Sequence, residues 1–166
     1  TIREENDAQL ALAPYYYFTS SMYKGECTSS RVGMMTAKSS DTPLYLVKLN
    51  GEQVYELVKK YLTEADENFY VTTKYELPIA SGMKIIVKNE ENGFSLKDIT
   101  INDKKIDTEK EYSILLTDTT KSILKKINPK CAIEQIGDTT LSSAWIAAMS
   151  NGQQPSAPED YIEVEK

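Results

Sequence analysis

Residues 43–62, "PLYLVKLNGEQVYELVKKYL", change their hydrophobic period in mid-segment. Positions 44–49 form a dense run of Leu, Tyr and Val broken only by Lys48, which reads as a strand. Beyond Asn50-Gly51, the apolar residues Val54, Leu57, Val58, Tyr61 and Leu62 recur at three- and four-residue spacing, which is the stripe of an amphipathic helix. A strand, a tight turn and a helix thus follow one another directly. The strand needs sheet neighbours and the helix needs a layer to bury its stripe, so the chain is confined to folds that mix the two.

The rest of the chain repeats this interleaving. Residues 8–13 are a short apolar run stopped by Pro14, and Thr28 or Ser29 is placed to cap a helix through Arg31, Val32, Met34 and Met35. Residues 69–73 have the aromatic and β-branched content of extended chain, and Pro78 and Gly82 bracket a tight connection. Residues 84–88 read as a strand leading to a hairpin turn at Asn92-Gly93, followed by strands over 98–101 and 111–116. Residues 117–120 form a polar hinge that can cap a helix over 121–127, closed by Asn128-Pro129. A short strand over 131–136, a helix over 141–150 capped from 138–140, and a last strand over 161–164 complete the pattern. There is no internal repeat, so one domain is expected.

Several chemistries are excluded by what is missing. The 166 residues include no histidine, and Cys27 and Cys131 have no companion thiols, so a Ser-His-Asp triad, a Cys-His pair and a zinc cluster cannot be built. The spacing of the two cysteines decides neither for a disulfide nor for two buried thiols. A net charge of −6 argues against binding a nucleic-acid polymer through a basic face. No apolar run reaches membrane-spanning length. The opening Thr1-Ile2-Arg3 has neither an initiator methionine nor a signal-like core, and a piece of a longer polypeptide is expected.

The order of these elements, with several local strings, resembles the C-terminal domain of the 5'-nucleotidase and 2',3'-cyclic-nucleotide phosphodiesterase family of secreted metallophosphoesterases. Residues 43–62 are similar to that domain's strand, Leu-x-Gly turn and helix, and "DAQLALAP", "GECTSSRV", "ASGMKIIV" and "EYSILLTD" are similar to further segments in the same order. The resemblance implies an α+β fold layered α/β/β/α, with residues 1–166 forming one substrate-binding domain. It also implies an N-terminal metallophosphoesterase domain of the same polypeptide, whose divalent metal pair polarises a phosphoryl group and activates water. This chain would carry no cofactor or metal and would not be catalytic alone; it would orient a nucleoside or nucleotide whose phosphate ester the neighbouring domain hydrolyses. The location implied is extracellular, periplasmic or attached to the cell wall, without direct membrane insertion.

The candidate substrate residues follow from position in that resemblance. The family's Asn-Gly-Gly-x-Arg-like loop after the first strand is replaced by Pro14-Tyr15-Tyr16-Tyr17-Phe18, and the two base-stacking phenylalanines align with about Ser40 and Thr119. Tyr15 and Tyr17 can substitute for the lost aromatic plates or pack on either side of an extended segment. Arg31 can hold a phosphate or carboxylate, or lie on a helix surface. Asp118 can bond a ribose hydroxyl, or simply cap a helix together with its threonine neighbours. Trp145 is expected in the core, on the apolar face of the last helix. With both plates replaced, the alternative is a diverged structural or interaction module of a cell-surface protein without nucleotide binding.

Overall fold

A computed structural model describes residues 2–17, 28, 42–64, 71, 76–152 and 161–165. The elements in chain order are α1 (Ile2–Glu5), β1 (Leu10–Ala13), a 3-10 turn (Tyr15–Tyr17), β2 (Pro43–Asn50), α2 (Gly51–Glu64), β3 (Ile79–Ser81), β4 (Lys84–Glu90), β5 (Gly93–Ile101), β6 (Lys104–Lys105), β7 (Glu111–Leu116), α3 (Asp118–Ile127), β8 (Ile133–Thr140), α4 (Leu141–Ser150) and β9 (Ile162–Glu165).

The strands form a five-stranded sheet in the order β3-β1-β7-β2-β8 and a four-stranded sheet in the order β6-β5-β4-β9. In the larger sheet β1 runs parallel to β7, while β3, β2 and β8 are antiparallel to their neighbours. In the smaller sheet only β4 and β9 pair in parallel. The parallel β1–β7 pair matters for function, because both strands finish at the same edge of the molecule.

The turn into α2 is built as its composition predicts. Asn50 Oδ1 accepts the Gln53 N–H at 2.9 Å and Gln53 Oε1 accepts the Asn50 N–H at 3.0 Å, a reciprocal cap that satisfies two otherwise orphaned donors. Glycine is required at position 51 because a Cβ there would stand 2.1 Å from the Asp107 carbonyl oxygen. That close approach lets Gly51 and Glu52 donate to the Lys110 and Thr108 carbonyls, at 3.1 Å each, and ties the helix start to the loop before β7.

The α+β class expected from the interleaved pattern holds, and the packing refines the expected α/β/β/α order. The stripe Val54, Leu57, Val58, Tyr61 and Leu62 is buried in one core with Leu10, Leu12, Tyr45, Val47 and Ile114 of the larger sheet and Ile85, Val87 and Ile99 of the smaller. Tyr55, flanking that stripe, donates to the Leu96 or Lys97 carbonyl of β5. Ile123 and Leu124 of α3 enter the same core. The α2–α3 pair therefore lies between the sheets, and α1 with α4 covers the other face of the larger sheet, giving α/β/α/β. The cause is that the larger sheet is apolar on both faces: Leu44 and Leu115 point away from α2 into a second cluster with Ala8, Tyr17, Leu141 and Ala144.

Other departures are local. The tight connection between Pro78 and Gly82 contains strand β3, whose Ala80 pairs with Leu12; three residues are too few to show a period. Strand β8 runs to Thr140, beyond the expected 136. Residues 15–17 form a turn, not extended chain, closed by a Tyr17 N–H to Pro14 carbonyl bond of 3.3 Å. The expected helix after Thr28 lies outside the described residues, as does all of the 69–73 segment except Val71.

Candidate functional site

The C-terminal ends of β1 and β7 and the beginning of β2 meet at one edge of the larger sheet, with Tyr45 of β2 in register with Leu116 of β7. The chain leaving β1 carries Tyr17, and the chain leaving β7 enters α3 with Thr117 as N-cap. Thr120, fully buried, holds this junction: its Oγ1 accepts the Thr117 N–H at 2.9 Å and can donate to the Leu12 carbonyl at 3.2 Å. The start of α3 is thereby pinned to the end of β1, and Asp118 and Thr119 are presented at the sheet edge.

These two consecutive residues reach to opposite faces of the sheet. Thr119 Oγ1 lies 2.9 Å from Tyr17 Oη on the α4 side, and Tyr45 Oη donates to Asp118 Oδ1 at 3.3 Å on the α2 side. Lys121, one turn along, donates to Asp118 Oδ1 at 2.6 Å and places its ammonium 3.9 Å from the Tyr45 ring centroid. Burial by itself lowers the Lys121 pKa, but hydrogen bonds to Asp118 and Tyr45 and the Asp118 charge outweigh it, so the ammonium is held above its usual value. Asp118 also sits favourably in the first turn of its helix, where the backbone dipole is positive.

Beside this polar cluster an apolar hollow of about 210 Å³ opens on the α4 face of the larger sheet, bounded by Ala13, Leu44, Leu115, Thr117, Leu141 and Trp145. Tyr17 packs in the same apolar cluster as Leu44, Leu115 and Leu141, and Thr117, the residue before Asp118, lines the hollow. Pockets for whole small molecules usually measure about 300–1,000 Å³, and this hollow has room for only part of one. Trp145 is half-buried and lines it, where a fully packed core position was expected.

The sequence profile of the 5'-nucleotidase C-terminal domain matches residues 1–122. The chain belongs to the 5'-nucleotidase C-terminal domain family. No curated protein sequence matches it. Among solved structures it is similar to a 5'-nucleotidase precursor from Thermus thermophilus (15% identity, TM-score 0.74), covering 98% of this chain and 32% of that one. It is similar to the NAD nucleotidase of Haemophilus influenzae (14%, TM-score 0.72), covering 99% of this chain and 32% of that one. A putative 5'-nucleotidase from Staphylococcus aureus, in complex with alpha-ketoglutarate, is matched at 14% identity and TM-score 0.73 over 99% of this chain and 35% of that one. At such identities the likeness shows a shared fold, and the chain spans about a third of each matched structure.

Within this 5'-nucleotidase C-terminal domain, four of the six candidate residues are described. Tyr17 and Thr119 are brought into contact, Asp118 lies next to Thr119 in the chain but is directed to the other face of the sheet, and Tyr15 stands half-buried two residues from Tyr17. Arg31 and Ser40 lie outside the described residues. Tyr17 is only 4% exposed, so it offers its hydroxyl to Thr119 and no free ring face for stacking. Tyr45 and Lys121 are not singled out by the sequence. Tyr45 is indistinguishable there from its apolar strand neighbours, whereas Lys121 carries a legible signal, a cation three residues after Asp118 on a helix. Among the described residues no group of three His, Cys, Asp or Glu could hold a metal, and no helix is long and apolar enough to cross a membrane.

Proposed function

We propose that this domain binds the nucleoside part of a nucleotide at the Tyr17–Thr119–Asp118 edge, in an exported phosphoesterase whose hydrolytic chemistry belongs to an N-terminal domain of the same polypeptide. Membership of the 5'-nucleotidase C-terminal domain family carries the proposal. The threefold greater length of the matched nucleotidases leaves room for such a partner domain. The donor set supports the division of labour: with no histidine in the chain, its side chains do not fit a dinuclear site built on imidazole and carboxylate. A divalent metal pair would then belong to the partner domain. Asp118 Oδ2 and the Thr119 hydroxyl would accept and donate bonds to ribose hydroxyls, and the apolar hollow would shield one edge of the base.

A second reading is favoured by one observation. Tyr17 is buried and Lys121 already occupies a face of Tyr45 at 3.9 Å, so neither ring is open for a nucleobase to stack on. A domain that kept the fold as an interaction module would look the same at these two positions. Calorimetric titration of the chain with adenosine, AMP and UMP separates them. Saturable binding at millimolar affinity or better, weakened by Asp118→Asn, supports nucleotide recognition; no saturable heat with any of the three establishes the second reading. A phosphatase assay of the isolated chain with added Mn²⁺ or Zn²⁺ tests the division of labour, since turnover above a buffer blank is incompatible with it.

A further inference from the structure

The opposite end of the β1–β7 pair carries a larger cleft that none of the foregoing uses. Its volume is about 570 Å³, and it lies between the beginnings of β1 and β4, the turn from β5 to β6, the loop into β7 and Tyr161. That is the size of an ordinary small-molecule site. In a chain of net charge −6 its charged lining is reversed: Arg3, Lys84 and Lys110 against the single carboxylate of Asp103.

The three cations are held differently. Arg3 is rigidly placed, with Nη1 donating to the Gln9 carbonyl at 2.6 Å and Nη2 to Glu4 at 3.2 Å. Gly82 makes room for this guanidinium, since a Cβ there would stand 3.0 Å from Nη1 and 2.3 Å from the Gln9 carbonyl oxygen, and its φ of +77° disfavours any side chain. The Arg3 Nε–H is buried and has no acceptor among the described residues. Lys84 is paired with Glu163, and Lys110 pairs with no carboxylate among the described residues; its ammonium lies 5.3 Å from the Tyr112 ring centroid. The carboxylates that do pair here, Glu4 and Glu163, are 60% and 47% exposed, so their charge is screened by water on the outer side. What faces the cleft is a guanidinium fixed by Gln9 and Glu4 and, beside the Tyr112 ring, an ammonium with no carboxylate partner among the described residues.

We propose that this cleft is an oxyanion site, taking a phosphate or carboxylate group of a small molecule between Arg3 and Lys110. A guanidinium and an ammonium converging on one opening supply the charge-assisted donors that such groups select, and the prepositioned fork of Arg3 lowers the ordering cost of binding. The turn at Asn102 and Asp103, both in the left-handed region with φ of 51° and 59°, shapes the remaining wall.

The test is a ¹⁵N–¹H amide titration of the full chain at constant ionic strength, with inorganic phosphate in one series, malonate in a second and chloride alone as the control. Expected are saturable shifts confined to Gln9, Gly82–Lys84, Thr100–Asp103 and Lys110–Tyr112, the stronger series naming the group the site prefers. Lys110→Gln should weaken binding about tenfold, the usual worth of one charge-assisted contact, while Lys97→Gln on the outer sheet face should leave it unchanged. Arg3→Lys keeps a charge but loses the fork; a fold-intact spectrum with weakened binding adds support that does not depend on Lys110. Shifts that fail to saturate, that appear equally with chloride, that survive Lys110→Gln at full affinity, or that cluster instead at Asp118 would overturn the proposal.

Discussion

Replacing Thr120 by valine keeps the shape of a fully buried side chain and removes only its hydroxyl. In the native domain that oxygen accepts the Thr117 N–H at 2.9 Å and can donate to the Leu12 carbonyl at 3.2 Å or the Thr117 carbonyl at 3.1 Å. The Thr117 carbonyl keeps another partner, the Lys121 N–H at 2.9 Å, so the principal loss is the acceptor for the Thr117 N–H. An orphaned buried donor costs about 1–3 kcal/mol. The methyl group that replaces the hydroxyl returns up to about 0.8 kcal/mol by burial. The net expectation is destabilisation by about 1–2 kcal/mol, or about 2–8 °C in Tm for a domain of this size. Urea unfolding followed by far-ultraviolet dichroism measures it, with an unchanged m-value, because the area exposed on unfolding is the same. Thr120→Ser provides the internal contrast: it keeps the hydroxyl and loses a methyl, at a cost of about 1 kcal/mol. If the hydroxyl pins α3 to β1, valine is worse than serine; if only packing matters, serine is worse. A loss below about 0.5 kcal/mol for Thr120→Val, or serine ranking below valine, refutes the reasoning. Amide shifts at Asp118 and Thr119 in the valine variant would report how far the candidate site depends on that one oxygen.

Gly51→Ala should destabilise by more than about 2 kcal/mol in the same urea assay, although alanine is favoured by about 1 kcal/mol in a helix, because its Cβ would collide with the Asp107 carbonyl. Lys121 is held above the usual lysine value of 10.5, so its stabilisation is complete below that pH and is lost as pH rises through the higher folded value. Thermal melts of the protein and of Lys121→Met should therefore converge at strongly alkaline pH and differ most at neutral pH. Cys131 is a half-buried free thiol whose pKa burial raises, with Lys125 opposing it. Its labelling by a disulfide reagent at neutral pH should be slower than that of free cysteine, and Lys125→Gln should slow it further.

How legible each part was depends on the range of the interaction that made it. The 43–62 unit was readable because its two periods, its Asn50-Gly51 turn and its buried stripe are all encoded within a few residues of one another. The caps were readable for the same reason: Thr117 and Thr140 each begin a helix as their composition suggests, and Ser143 donates to Thr140 Oγ1 at 3.2 Å. Strand β3 was not readable, since its partner Leu12 is far off in the chain and three residues carry no period. The end of β8 was hidden by its polar content and by a register shift against β2 between Pro43 and Tyr45. Of the candidate site, Asp118, Thr119 and Tyr17 were singled out by their position in the family resemblance, but their direction to opposite faces of one sheet was not legible.

Local sequence alone determined the longer strands and helices, where the helices are capped, and that no histidine-based chemistry is available to this chain, because propensity, capping and side-chain chemistry act over a turn or two of backbone. Only the tertiary structure decided that α2 and α3 lie between the sheets, that Tyr45 and Lys121 join Asp118, and that Arg3 and Lys110 face one cleft. Those outcomes rest on the pairing of β1 with β7 across a hundred residues of intervening chain, with Gln9 and Ser113 exchanging backbone and side-chain bonds at 2.9–3.1 Å. The register of such a pairing is set by the burial of both faces together, a condition no local window contains.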